Sequence, residues 1–152
     1  IIFEWSNLDC PYVKRHYGLN NMQTTQKFAK SKNIIWITVI SSAEGKQGYI
    51  QPSDALNTFA SFGSFPDHIL IDENGDLGKK FNAKTTPHIF IADKNKNIVY
   101  QGAIDDAGGS RFWTTDLNQS TNFVKKVVND IRSNKPLSVS KTRPYGCSVK
   151  YG

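Results

Sequence analysis

Only two cysteines occur in the 152 residues. That is too few for a disulfide framework, and their spacing lacks the clustered pairs that a zinc site needs. No apolar run approaches the roughly 18 residues needed to cross a bilayer, so no membrane span is expected. Walker and dinucleotide-binding glycine patterns are both missing, which leaves no motif for a nucleotide. The acidic turn Asp72-Glu73-Asn74-Gly75-Asp76 is not a calcium loop, because its twelfth position is Ala83 and not glutamate. There is no internal repeat. Aromatics, in contrast, are plentiful at 12%. A single domain with a real core follows, burying roughly 68–70% of its unfolded surface, and disorder is excluded.

The net charge of +6 is uneven: residues 1–75 carry 6 basic and 7 acidic side chains, residues 76–152 carry 13 and 6. The lysines are scattered, as at Lys79, Lys80, Lys94, Lys96, Lys125 and Lys126, without a recognition motif. A solvated basic surface is the reading, with no nucleic-acid partner. The chain begins at Ile1, inside a predicted strand, so upstream sequence is expected.

Ile1–Trp5 reads as a buried, central strand. Pro11 suits the first position of a helix, where its missing N–H costs nothing. That helix breaks at Gly18 and is recapped by Asn20 or Asn21. A stripe of Leu19, Met22 and Ala29, with Phe28, then runs to about Lys30. Ile34–Ile40 is β-branched except for Trp36, a strand covered on both faces. A polar loop, 41–51, leads to a helix over Pro52–Phe62 closed by Gly63. His68–Asp72 is a strand and Leu77–Phe81 a short helix. Ile89–Asp93 and Ile98–Gln101 form a hairpin. After an irregular stretch, Ser120 is the expected cap of a last helix that ends near Pro136. Residues 136–152 read as an aperiodic tail. The sum is a mixed central sheet with helices on both faces.

Chemistry concentrates at the first strand-to-helix junction. Only a thiolate is a strong nucleophile, and a helix N-terminus lowers a thiol's pKa from its usual ~8.5. Cys10, after a polar turn and just before Pro11, is placed for that effect. Lys14 assists and Asp9 opposes. His16, six residues on, points about 240° around the helix from Cys10 and reads as a surface residue. His88 is a neighbour of the thiol region, and Asp105-Asp106 a solvated loop.

Cys10-Pro11-Tyr12-Val13, with Trp5 on the strand before it, resembles the active-site junction of the thioredoxin superfamily with its second cysteine replaced by valine. Thr85-Thr86-Pro87 resembles the cis-proline loop. Phe65–Asp72, Gly78–Ala83, Pro87–Asp93 and Ile98–Gly102 are similar, in order, to the redoxin branch, including AhpC/TSA and TlpA-like proteins. The resemblance implies a thioredoxin-like α/β domain over residues 1–135 with a redoxin-type insertion, its earliest strand or strands lying upstream of Ile1. The tail 136–152 would carry Cys147. It further implies Cys10 as the attacking thiol, Glu4 as a buried proton-relaying acid, and Pro11, Tyr12, Thr86 and Pro87 as the substrate-facing surface. Thiol–disulfide exchange with a protein partner follows, without cofactor or metal, and export from the cytoplasm is the expected location.

Two departures shape the expectation. Val13 cannot resolve a mixed disulfide, so Cys147, on a flexible tail between turn-forming residues, is the candidate resolving thiol. A peroxiredoxin would carry threonine where Asn7 stands and an arginine against its thiolate, for which Arg111 is the positional candidate. A peroxidase consuming peroxide is the first alternative, and a non-catalytic binding module using the Pro87 face is the second. Oligomeric state is not legible.

Overall fold

The computed structural model describes all residues, Ile1–Gly152. Five strands form one mixed sheet: β1 (Ile2–Trp5), β2 (Trp36–Ile40), β3 (His68–Ile71), β5 (His88–Ala92) and β6 (Ile98–Gly102), in the order β3-β2-β1-β5-β6. β1 is central, parallel to β2 and antiparallel to β5. β2 and β3 are parallel, and β5 and β6 form the expected antiparallel hairpin. Two further short strands, β4 (Thr85–Thr86) and β7 (Cys147–Ser148), pair separately.

Strand alternation divides the core. Ile2, Trp36, Ile40, Ile89, Ile91 and Tyr100 face one side. There they meet helices α1 (Pro11–Gly18), α2 (Asn21–Ser31), α3 (Ala55–Ser61) and α5 (Phe123–Arg132) through Val13, Met22, Phe59 and Val127. Trp5, Val39 and Phe90 face the other side, under Leu77 and Phe81 of α4 (Asp76–Phe81) and Val149 of the tail. Helices therefore cover both faces.

The α1–α2 break falls where expected. Asn20 adopts φ 63, in the left-handed region, which turns the chain between the helices. It also removes Leu19 from the apolar stripe: that side chain is exposed, while Met22 and Ala29 are buried. The cap of α5 is Asn122, not Ser120. Its side chain accepts from Lys125 N at 2.9 Å and donates to Thr25 Oγ1 at 2.9 Å. The chain is still extended through Ser120–Asn122, pinned by Phe123 N to Ile104 O (2.9 Å), so the helix starts later than the serine suggests. In the acidic turn, Asp72 accepts from Leu77 N, Gly78 N and Ser41 Oγ and anchors the start of α4.

Residues 136–152 are the largest surprise. They lie along the domain as a strap, not as a loose tail. Lys141 bridges Gln101 beside β6, and Thr142 N donates to Gln101 O at 3.1 Å. Thr142 Oγ1 meets Tyr100 OH at 2.6 Å and accepts from Ala103 N at 2.9 Å. Beyond β7, Val149 N donates to Lys84 O, Ala43 N to Lys150 O, and Tyr151 OH to Ala83 O at 2.7 Å. Backbone pairing does this work with few buried apolar side chains, so no hydrophobic period marks it in the sequence.

Candidate redox site

The turn after β1 is built by Asn7. Its carbonyl accepts from Cys10 N (3.0 Å) and its side chain from Asp9 N (2.9 Å), a local Asx turn that points the chain into α1. Cys10 becomes the N-cap residue with extended backbone, and Pro11 takes the first helical position. No side chain caps the helix. The positive end of α1 therefore falls on the cysteine.

Cys10 is fully buried and disulfide-bonded to Cys147, with Cα atoms 6.1 Å apart. Its Sγ lies 3.4 Å from the carbonyl oxygen of Thr86. In the disulfide there is no S–H to donate; a reduced Cys10 thiol would have this acceptor ready. Cys147 sits opposite Thr86 in the antiparallel β4–β7 pair, so the Thr86–Pro87 segment, joined by a cis peptide, is covered by the strap. Thr86 and Pro87 are buried, Tyr12 half-buried and Pro11 exposed. Gly146, at φ 143, makes the crossing possible: a Cβ there would collide with the Thr86 carbonyl. Cys147 keeps partial exposure.

A second cluster flanks the disulfide. Tyr145 and Cys147 alternate on an extended segment, so both point to the domain. The Tyr145 ring packs among Tyr12, His16 and Phe112. Its hydroxyl bonds Asp105 Oδ1 and lies 3.3 Å from His16 Nε2. Asn21 Nδ2 reaches both His16 Nδ1 (3.0 Å) and Asp105 Oδ2 (3.2 Å). One proton assignment satisfies every group: Asn21 donates twice, His16 Nε2–H donates to Tyr145, and Tyr145 O–H donates to Asp105. Burial, with Arg15's charge, lowers His16 to about 3, which keeps it neutral. Burial also raises Asp105, against the lowering by Tyr145.

Both expectations for these residues are corrected. His16 is buried, not a surface histidine, because residues 105–112 and the strap close over α1. Asp105 is likewise buried, not solvated. Tyr145 did not stand out in the sequence, where the only signal was an aromatic two residues before Cys147, and Asn21 did so only as a candidate helix cap. Tyr145→Phe keeps the ring but strands His16 Nε2–H and leaves Asp105 Oδ1 with Ala107 N as its remaining donor. A loss of about 1–3 kcal/mol is expected in urea unfolding of the oxidised protein.

Glu4 is buried beneath β1's helical face. Its carboxylate accepts from Trp36 Nε1 (3.0 Å), Thr38 Oγ1 (3.1 Å) and Tyr17 OH (3.1 Å). Burial outweighs these bonds and raises its pKa to about 7. His88 is turned to Lys84 N (3.1 Å) and stacks on Phe90. Arg111 is exposed, and its carbonyl accepts from Thr114 and Thr115. Lys14 is exposed, and its backbone N–H bonds Cys10 O at 2.9 Å.

No protein-family model matches this sequence, and no curated protein matches it. Solved structures do. An uncharacterized conserved protein from Geobacillus kaustophilus is similar at TM-score 0.82 and 19% identity, over 99% of this chain and 76% of that one. A hypothetical protein from Sinorhizobium meliloti 1021 is similar at 0.78 and 18%, over 99% and 79%. A thioredoxin-like protein in the oxidized form is similar at 0.57 and 16%, over 89% and 78%. Identities this low bear on the fold alone. The mixed sheet centred on β1, the Cys10 junction at α1 and the Thr86–Pro87 segment beside it, with these likenesses, make this chain a thioredoxin-like fold protein.

Proposed function

We propose that this protein is a thiol–disulfide oxidoreductase whose redox pair is Cys10 and Cys147, with protein thiols or disulfides as partners. The observation that carries this reading is the bond itself: a cysteine at a helix N-terminus, joined to a second cysteine held against Thr86 beside Pro87. The strap supplies the second thiol that Val13 cannot. A helix N-terminus stabilises the Cys10 thiolate, the form that leaves from or attacks a disulfide. Glu4 is the proton-relaying acid of this reading, poised near neutrality by burial.

One observation favours a second reading, in which the bond is structural and the domain docks a partner: Cys10 is buried and the strap is hydrogen-bonded on both sides of Cys147. The peroxidase reading draws less support. Asn7's side-chain nitrogen is turned to Gln47, its oxygen caps Asp9 N, and Arg111 is exposed on a separate loop.

The test is equilibration in glutathione buffers of graded ratio, with reduction of a disulfide-bonded test protein by dithiothreitol as the activity. A redox pair titrates within the buffer range and accelerates the reduction, and Cys10→Ser and Cys147→Ser each abolish the acceleration. A bond that stays closed across the range until the protein unfolds, with no acceleration, sinks the oxidoreductase reading.

A further inference from the structure

The two halves of the disulfide are not equivalent, and the difference assigns the order of bond exchange. Cys10 is fully buried as part of the main hydrophobic core, and the strap pairs with Thr86 beside it. Cys147, on the strap itself, keeps exposure, and its neighbour Ser148 is open to solvent. A cleft of about 620 Å³ is lined by Thr85, Asp106, Gly108, Gly109, Tyr145 and Gly146, the last being the residue before Cys147. It brings solvent to within one residue of Cys147.

Exchange at sulfur requires the attacking sulfur, the attacked sulfur and the leaving sulfur to be roughly in line. Attack on Cys10 would have to come from inside the domain, on the side away from Cys147, where packed side chains stand. Cys147 is the partly exposed residue of the two, and the cleft reaches its neighbour Gly146, so attack on Cys147 has the more open approach. The group then expelled is the Cys10 thiolate, at the positive end of α1, and a leaving thiol of lower pKa leaves faster. Access and leaving-group stability point the same way.

We propose that Cys147 is the sulfur that partners meet and that Cys10 is the internal thiol, the reverse of the roles implied by the resemblance. An incoming thiolate forms a bond to Cys147 Sγ as the Cys10–Cys147 bond breaks, and its electron pair departs on Cys10 as thiolate. A second incoming thiolate then attacks the partner sulfur of the mixed disulfide. That releases the oxidised partner and leaves Cys147 as thiolate, the protein having gained two electrons. Run backwards, Cys10 attacks Cys147 and ejects the partner, so Cys10 is the resolving thiol. Tyr145 and Tyr151 anchor the strap on both sides of Cys147 and keep it beside Cys10 while the bond is open.

This inference rests on the oxidoreductase reading, and one experiment separates the two. Oxidised wild-type protein is mixed with excess glutathione, quenched in acid within seconds, unfolded, alkylated with N-ethylmaleimide and mapped by peptide mass. The expected species carries glutathione on Cys147 and maleimide on Cys10, in about tenfold or greater excess over the reverse. In a parallel arm with oxidised glutathione, Cys10→Ser is glutathionylated at Cys147 about tenfold or more faster than Cys147→Ser is at Cys10. Adducts mainly on Cys10 overturn the assignment while leaving exchange intact. No adduct on either residue before unfolding overturns both.

Discussion

Cys147→Ser is expected to lower the unfolding free energy by about 3–5 kcal/mol. The link joins residues 137 apart, nearly the full length of the protein. Without it, the unfolded chain regains the freedom to separate its ends. In the chain-entropy account that gain grows only with the logarithm of the loop, so a loop this long lies near the upper end of the range. The folded strap keeps its other anchors, at Thr142, Tyr145, Val149 and Tyr151. Most of the loss therefore belongs to the unfolded state. Three measurements follow in urea. Cys10→Ser should cost a similar amount, the double variant no more than either single one, and wild type in strong reductant should match them. Equal stability with and without the bond would refute the assignment, and additive losses would mean that each cysteine contributes mainly by its own packing.

Glu4→Gln is expected to abolish the fall in stability that Glu4 imposes as pH rises from 4.5 to 8. Burial raises the folded pKa of Glu4 from 4.5 to about 7, so between those values the folded state binds a proton that the unfolded state has released. Stability is then full below the unfolded pKa, falls as pH rises through that window, and levels off above it. A shift of that size corresponds to roughly 3 kcal/mol between pH 4.5 and 8. Glutamine keeps an oxygen for the Trp36 and Thr38 donors and an amide that can donate to Tyr17, but it does not ionise. The variant should gain on wild type by roughly 3 kcal/mol as pH goes from 4.5 to 8. Urea midpoints at both pH values decide it; parallel profiles would show that Glu4 does not carry the linkage.

Much of the fold was legible because local rules agreed with the global one. Apart from Glu4, Ile1–Trp5 and Ile34–Ile40 consist of β-branched or aromatic residues, and both became buried strands, β1 at the centre of the sheet and β2 beside it. Pro11 and Gly63 marked helix ends because their backbone preferences act within a residue or two. Where two candidates for one role sat close together, the reading failed. Ser120 is a good cap by type, but Phe123 N is tied to Ile104 and the cap passes to Asn122. His16 is polar and sits on a short helix, which reads as surface until a distant segment covers it.

The chemistry divides along the same line. The cysteine at a helix N-terminus, the acid six residues before it and the proline segment beyond were visible in the sequence, because each depends on residue type and near neighbours. Cys147 was named there only as the candidate partner of Cys10; that the two meet depends on a strap that passes Gln101, Thr86, Lys84 and Ala43 in turn, and backbone hydrogen bonds carry no side-chain signature. Burial of His16 and Asp105 under Tyr145 depends on the same strap. Residue order alone places a cysteine at the N-terminus of the first helix, because Pro11 and the turn before it act within a few residues. Which cysteine is fully buried and which is partly exposed follows from the packing of distant segments, because access is a property of what is packed above a residue and not of its neighbours in the chain.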